Sequence, residues 1–180
     1  MLLWGAGALD RTIYEAVYAG NRPALAAAAR AVTLLGEPDL LVAASIAAAL
    51  WLYYAGHRHL PWVFIGIVMI GRGLSEAQKL WIARVRPEFE PHLVVVKTSS
   101  FPSGHAANSM IFYLALALIL TAGTRWHRPA AALAVLLSLC IGASRVMLGV
   151  HWPSDVIGGW AFGMLWVLLT LRLARRLVED

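Results

Sequence analysis

Residues 144–155 read Ser144-Arg145-Val146-Met147-Leu148-Gly149-Val150-His151-Trp152-Pro153-Ser154-Asp155. The stretch joins two apolar segments, 129–144 and 156–171, that contain no Asp, Glu, Lys or Arg. It therefore marks a turn between two apolar helices, with a guanidinium, an imidazole and a carboxylate gathered at the turn. His151 and Asp155 are four residues apart. If the second helix starts near Trp152 or Pro153, they lie one turn apart. The acid can then accept the proton of one ring nitrogen. That fixes the tautomer and points the other nitrogen outward as base, nucleophile or ligand. Arg145 adds a strong positive charge nearby, so the implied target is an anion.

Working outward, composition sets the surroundings. The chain has 180 residues, enough for one domain spanning 1–180. It is 60 % hydrophobic and 14 % charged, with a mean hydropathy of +0.68. Soluble domains carry about 25 % charged residues, so this chain belongs in a bilayer. The net charge of +5 comes from scattered arginines, and no interleaving of basic and aromatic residues suggests nucleic acid. The single cysteine, Cys140, lies in an apolar run and excludes an internal disulfide. No basic leader resembling a signal peptide opens the chain, since Asp10, Arg11 and Glu15 interrupt it.

Five segments are candidates to span: 40–56, 60–83, 106–124, 129–144 and 156–171. The first and the last three are uncharged, whereas 60–83 carries Arg72, Glu76 and Lys79 in its second half. Trp62, Trp81, Trp126 and Trp152 sit near expected ends, as interfacial anchors do. Gly159 and Gly163 form a small-xxx-small face suited to close helix packing. Residues 1–38 read as N-terminal interfacial helices. Leu9, Ile13, Ala16, Val17 and Gly20 share one face of an amphipathic helix. Pro23 opens an Ala-rich helix that ends at Gly36-Glu37-Pro38, too short to span and expected at the interface or dipping part-way in. The expected fold is all-α: a polytopic transmembrane bundle of five or six spans over 39–180, preceded by those helices.

In such a serpentine bundle the loops after the second and fourth spans share one side with the start of the third. That side collects Lys79, Arg86, Ser103, Gly104, His105, Arg145, His151 and Asp155. Two histidines and a carboxylate can hold a metal, but three cations beside them would repel one and favour a phosphate. Two arginines can clamp its oxygens and a lysine adds point charge. Ser103, the Gly104 amide and the start of the third span can donate further hydrogen bonds. Gly104 also lets the backbone approach the ligand. His151 can then attack phosphorus in line, and His105 can protonate the leaving oxygen.

Three motifs, Lys79-x6-Arg86-Pro87, Pro102-Ser103-Gly104-His105 and Ser144-Arg145-x5-His151-x3-Asp155, together resemble the type 2 phosphatidic acid phosphatase family. The core of the resemblance runs from about Arg72 to Gly163. It implies a helical, metal-independent hydrolase of lipid phosphates or pyrophosphates, such as prenyl pyrophosphates, phosphatidylglycerol phosphate or phosphatidate. It implies His151 as the nucleophile that becomes phosphohistidine, Asp155 as its orienting acid, and His105 as general acid and then base. Lys79, Arg86, Ser103, Gly104 and Arg145 are implied as the phosphate clamp. No metal or other cofactor is expected, and the partners are the bilayer and its lipid phosphate. Six-span members of the family have one span more, which would be N-terminal here.

Other residues get plainer readings. Ser103 can be the N-cap of the third span as well as a ligand. Glu76 is expected to position Lys79 or Arg72 from behind the site, or else to form a structural ion pair. His57 and His59 flank Arg58 in a loop on the far side and read as solvated; His92 lies near the site by topology. The far side carries Arg58, Arg125, Arg128, Arg172, Arg175 and Arg176, so the positive-inside rule puts it in the cytoplasm. Arg11, Arg22 and Arg30 count against this. The site then faces the exterior, the periplasm of a bacterial inner membrane. Rival readings are a non-catalytic binder or carrier of phosphorylated lipids, and a vanadate-dependent haloperoxidase-like enzyme. The substrate and oligomeric state stay open.

Overall fold

The computed structural model describes residues 7–179, and seven α-helices and no strands are found among them. In order they are α1 (Ala8–Val17), α2 (Pro23–Leu34), α3 (Pro38–Tyr54), α4 (Leu60–Ile82), α5 (Gly104–Leu120), α6 (His127–Met147) and α7 (Pro153–Glu179). Residues 1–6 of the expected amphipathic helix, and the side chains of Arg175 and Arg176, lie outside what is described. The five expected spans correspond to α3–α7. Prolines at the first turns of α2, α3 and α4 supply the pre-set φ that suits a helix start.

By length and composition, four stretches can cross a membrane: Pro23–Tyr54, Leu60–Ile82, His127–Met147 and Pro153–Ala174. The first unites α2 and α3 across a short turn. The remaining expected span, α5, has 17 residues and sits at the lower limit of spanning length. It is apolar all round and occupies the centre, packed on α3, α4, α6 and α7. Residues 106–112 of α5 are buried without a break. Met110, Ile111, Phe112, Leu114 and Ala115 meet Leu41, Leu52, Phe64, Ile67, Val68 and Val167 in the main core. The outer faces are equally apolar: Leu50, Ile70, Leu133, Leu136, Leu165 and Leu168 are all exposed. Side chains of this kind, on every outer helix, make an integral membrane protein.

The small-residue face of α7 settles the helix spacing. A Cβ on Gly159 would lie 2.7 Å from the carbonyl oxygen of Ser103, and one on Gly163 would lie 2.8 Å from that of Ala107. The expected close neighbour is therefore α5. This backbone contact brings the Pro-Ser-Gly-His turn against the His-x3-Asp turn, and Ser103 N donates to the Asp155 carbonyl at 3.0 Å.

Alternating helix directions bring the first residues of α3, α5 and α7 and the last of α4 and α6 to one end. α1 and α2 also lie at that end. Ala19 N donates to Met147 O, Tyr18 Oη to Pro91 O and Arg30 Nε to Leu93 O. In α1 the apolar Leu9 and Ile13 face outward, while Asp10 and Tyr14 face the protein. Outward apolar residues suit a helix lying in an interface. The polar inward residue needs a partner, which the site supplies. One anchor reads differently from its sequence position. Trp152 is buried between Tyr14 and Phe89, and its Nε1 donates to Val85 O. Trp62, Trp81 and Trp126 are exposed at helix ends, as expected of anchors.

Candidate active site

A cavity of about 320 Å³ opens at the gathered end. Its wall includes Arg72, Glu76, Lys79, Arg86, Gly104, His105, Arg145 and His151. Of the clamp and catalytic residues expected from the sequence, Asp155 and Ser103 lie directly behind this wall, both fully buried.

Each element brings its residues by simple means. α4 and α6 end at the cavity and carry Lys79 and Arg145 in their last turns. α5 and α7 begin there, so their unpaired first-turn amides and positive dipole ends face the same end. The Gly104 and His105 amides have no backbone acceptor. Ser103 occupies the N-cap position of α5, yet its side chain makes no capping bond and its buried Oγ has no protein partner. A Cβ on Gly104 would enter the cavity beside Lys79, Glu76 and Asn108 without a clash, taking up space needed by a ligand.

His151 and Asp155 are held as the spacing requires. Nδ1 lies 3.5 Å from Asp155 Oδ2 and Nε2 lies 3.1 Å from Arg86 Nη1. A guanidinium has only donors, so Nε2 presents its lone pair and the proton sits on Nδ1, toward the acid. Burial, followed by the Arg86, Arg145 and Lys79 charges, pushes the His151 imidazolium well below its usual range. The ring is therefore neutral at physiological pH. Ser100 Oγ and the Trp152 amide also donate to Asp155 Oδ2. Ser100 was not foreseen as a site residue.

A larger omission is Arg84, which reads in the sequence as one more loop cation. It is buried, with Nη1 2.6 Å from Asp155 Oδ1 and Nη2 2.9 Å from Asp10 Oδ2. Asp10 also accepts from the Ser154 amide at 2.8 Å and from its hydroxyl. Asp155 is thus held by an arginine, itself held by an acid from the N-terminal helix. Glu37 was likewise missed; its Oε1 lies 3.4 Å from His105 Nε2. The polar Gly36-Glu37-Pro38 break is the one sequence signal for it. Thr33 of α2 accepts from Arg145 Nη1 at 2.9 Å.

The other cations differ from Arg84. Lys79 Nζ donates to Ser99 O at 3.1 Å, and Arg86 donates to Thr98, Ser99 and Val150 carbonyls. Among the described residues, no carboxylate lies within 4 Å of Lys79, Arg86 or Arg145. Arg145 Nε is buried without a partner. Burial pushes the Arg86 guanidinium down to about 10, so it stays charged at neutral pH. Glu76 and Arg72 both line the cavity, and among the described residues neither lies within 4 Å of an opposite charge. His92 faces solvent, bound to Pro87 O, and is not part of the cavity wall. His57 and His59 are exposed at the far end.

Known proteins resemble this chain in sequence and fold. A family model described as the PAP2 superfamily matches residues 60–179. Phosphatidylglycerophosphatase B of Bacillus subtilis is 29 % identical over 160 residues, 87 % of this chain and 78 % of that protein. Decaprenylphosphoryl-5-phosphoribose phosphatase of Mycobacterium tuberculosis is 31 % identical over 147 residues, 79 % of this chain and 77 % of that protein. The crystal structure of a transmembrane PAP2 type phosphatidylglycerolphosphate phosphatase from Bacillus subtilis superposes with a TM-score of 0.86 at 28 % identity. That superposition covers 93 % of this chain and 85 % of the other.

Proposed function

Because the chain belongs to the PAP2 superfamily, we propose that it is an integral-membrane lipid phosphatase working through a phosphohistidine, without a metal. The observation that carries the reading is the set of three cations with, among the described residues, no carboxylate within 4 Å, facing the lone pair of a neutral histidine. Burying an unpaired charge costs the fold several kcal/mol. A phosphate dianion offsets three such charges at once, through charge-assisted hydrogen bonds.

Arg86, Arg145 and Lys79 hold the phosphoryl oxygens, with Ser103 Oγ and the first-turn amides of α5 as further donors. Phosphate oxygens draw Arg86 away from His151 Nε2, which frees the lone pair. Nε2 then attacks phosphorus in line and the P–O bond to the lipid breaks. His105 gives its proton to the leaving oxygen. Asp155 stabilises the charge that develops on the His151 ring. In the second half, His105 takes a proton from water, the water oxygen attacks phosphorus, and the P–N bond breaks to release phosphate. Glu37 Oε1, 3.4 Å from His105 Nε2, can accept a proton carried on that nitrogen and so orient the ring.

The same reading puts the site at the outer face of a bacterial inner membrane. The arginines that weigh against this orientation are occupied locally. Arg11 stacks on Phe89, Arg22 donates to Ala16 and Tyr18 carbonyls, and Arg30 donates to Leu93. The test is phosphate release by detergent-purified protein in excess EDTA, across prenyl pyrophosphates and glycerolipid phosphates, with His151→Ala as control. Release that survives EDTA and disappears with His151 is expected. Release that needs a metal, or that persists in His151→Ala, would overturn the mechanism.

A further inference from the structure

The carboxylate of Asp155 is shared between His151 and a cation. Arg84 Nη1 lies 2.6 Å from Asp155 Oδ1, whereas His151 Nδ1 lies 3.5 Å from Oδ2. Taken alone, Asp155 and Arg84 form a neutral pair. A neutral pair gives the imidazole little of the negative charge that attack on phosphorus calls for. Arg84 has a second acid, however. Its Nη2 lies 2.9 Å from Asp10 Oδ2, and Asp10 comes from α1, 74 residues away. All three side chains are buried, so water screens them poorly and His151 feels the charge of the group as a whole. Two carboxylates and one guanidinium leave one net negative charge; without Asp10 none is left. None of the three residues is part of the cavity wall, where Lys79, Arg86 and Arg145 add positive charge on the other side of His151. Asp10 has a second, separable role. It accepts from the Ser154 amide at 2.8 Å and from the Ser154 hydroxyl, which ties α1 to the first turn of α7.

We propose that Asp10 is a positioning residue for the reaction: acting through Arg84, it restores the negative charge that Asp155 presents to His151. The N-terminal helix then contributes to turnover although it touches neither the substrate nor the reacting atoms. When Nε2 bonds to phosphorus, Nδ1 keeps its proton, so the ring gains one positive charge. Three cations already surround it, and the buried group behind it must supply the opposite sign. Before attack the ring is neutral and the charge behind it matters little. An interaction made only as charge develops raises kcat and leaves KM alone. A purely structural tie behaves otherwise: its loss follows the hydrogen bonds removed, whatever the net charge. The proposal rests on the lipid phosphatase reading and adds a residue to the machinery of that same site.

The test measures kcat and KM for phosphate release from phosphatidate and phosphatidylglycerol phosphate in detergent micelles, with a melting temperature for each protein. The proteins are the wild type, Asp10→Asn, Ser154→Ala and the double variant Asp10→Asn with Arg84→Gln. Asp10→Asn keeps an acceptor for the Ser154 amide and loses the charge. Its kcat is expected to fall about tenfold, less than the loss for a group that touches the developing charge directly, with KM changed by less than about twofold. Ser154→Ala removes a hydroxyl bound to both Asp10 and Arg84 but no charge, and should keep kcat within about threefold. The double variant returns the net charge to that of the wild type. It should recover most of the kcat lost in Asp10→Asn even if it melts lower, a combination that a structural tie does not produce. Equal loss of kcat in Ser154→Ala and Asp10→Asn would overturn the proposal, as would a double variant slower than Asp10→Asn. Should Asp10→Asn fail to fold, the double variant decides. A kcat within about threefold of Ser154→Ala supports the proposal, and one about tenfold lower overturns it. In all of these cases the wild type still turns over and the phosphatase reading stands; that reading falls only if the wild type hydrolyses no lipid phosphate.

Discussion

The two ends of the bundle are built from the same kinds of residue and behave differently. At the far end, His57, Arg58 and His59 form an exposed loop between α3 and α4. At the near end, His151 and Arg145 are 2 % and 4 % exposed, and Arg84 is 3 % exposed. Residue type does not separate the two ends. Three helix starts and two helix ends converge at one, with α1 and α2 folded over them. Convergence removes water, and removing water makes each charge and each lone pair consequential.

The largest expected difference between the ends is in turnover. His151→Ala should lower phosphate release by roughly 10³-fold or more, as loss of an attacking group does. The double variant His57→Ala with His59→Ala should change it by less than about twofold. Steady-state release from one lipid by both variants measures this. A comparable loss from the far-end variant would end the contrast between the two ends.

Stability gives the next contrast. Asp10→Ala breaks the buried ion pair with Arg84, and breaking a buried pair costs about 3–5 kcal/mol. Arg58→Ala, at an exposed site, should stay within about 0.5 kcal/mol. Thermal melts in detergent compare the two. If Asp10→Ala melts like the wild type, the N-terminal helix is not a structural part of the site. Helix spacing comes third. Gly159→Ala puts a methyl group against Ser103 O and must push α5 from α7, at about 1–3 kcal/mol. A shift near 1 Å in the clamp can cost about 10²-fold in rate. Gly66, in α4 toward the far end, has no atom within 4 Å of an added Cβ. Gly66→Ala should therefore melt no lower than the wild type, and a loss equal to that of Gly159→Ala would refute the spacing argument.

The pH dependence is smaller and has a definite sign. Burial holds His151 well below its usual range in the folded protein, while the unfolded chain titrates near 6.5. Below that value the unfolded state binds the extra proton. The contribution is therefore fully present above about pH 6.5 and is lost as pH falls, by about 1.4 kcal/mol per unit. Melts between pH 5 and 7.5 should show the wild type losing more than His151→Gln. Equal slopes would mean that His151 is not neutral in the folded state.

What the sequence shows of all this follows from the range of each interaction. The five core helices are legible because lipid demands apolar runs of fixed length. The gathering of the two histidines, Asp155, Lys79, Arg86 and Arg145 at one end is legible because alternating spans bring their helix ends and loops together. Arg84 and Asp10 are not, because their pairing spans 74 residues and Asp10 sits in a helix whose pattern reads as amphipathic. Trp152 misleads for the same reason: a Trp at a helix start looks like an interfacial anchor until α1 folds over it. Arg72 and Glu76, at i and i+4, read as a pair, whereas the fold places both on the cavity wall.

The smallest expected effect concerns the backbone. Far-end turns place glycine where φ is positive, at Gly56 (+91°) and Gly123 (+73°). The near end has glycine there at Gly149 (+79°) but also Ala83, at +47°, as the left-handed cap of α4. A left-handed L-residue costs roughly 1–2 kcal/mol, and the Ala83 side chain is exposed, so no packing offsets it. The turn it makes aims Arg84 and Arg86 at Asp155 and His151. Ala83→Gly relieves the strain but frees the unfolded chain, by about 0.5–1 kcal/mol in the other direction. The net expectation is a gain below about 1 kcal/mol, a melting temperature higher by roughly 2 °C. If the variant instead melts lower, the left-handed cap is not strained, and the two ends differ only in what they bury.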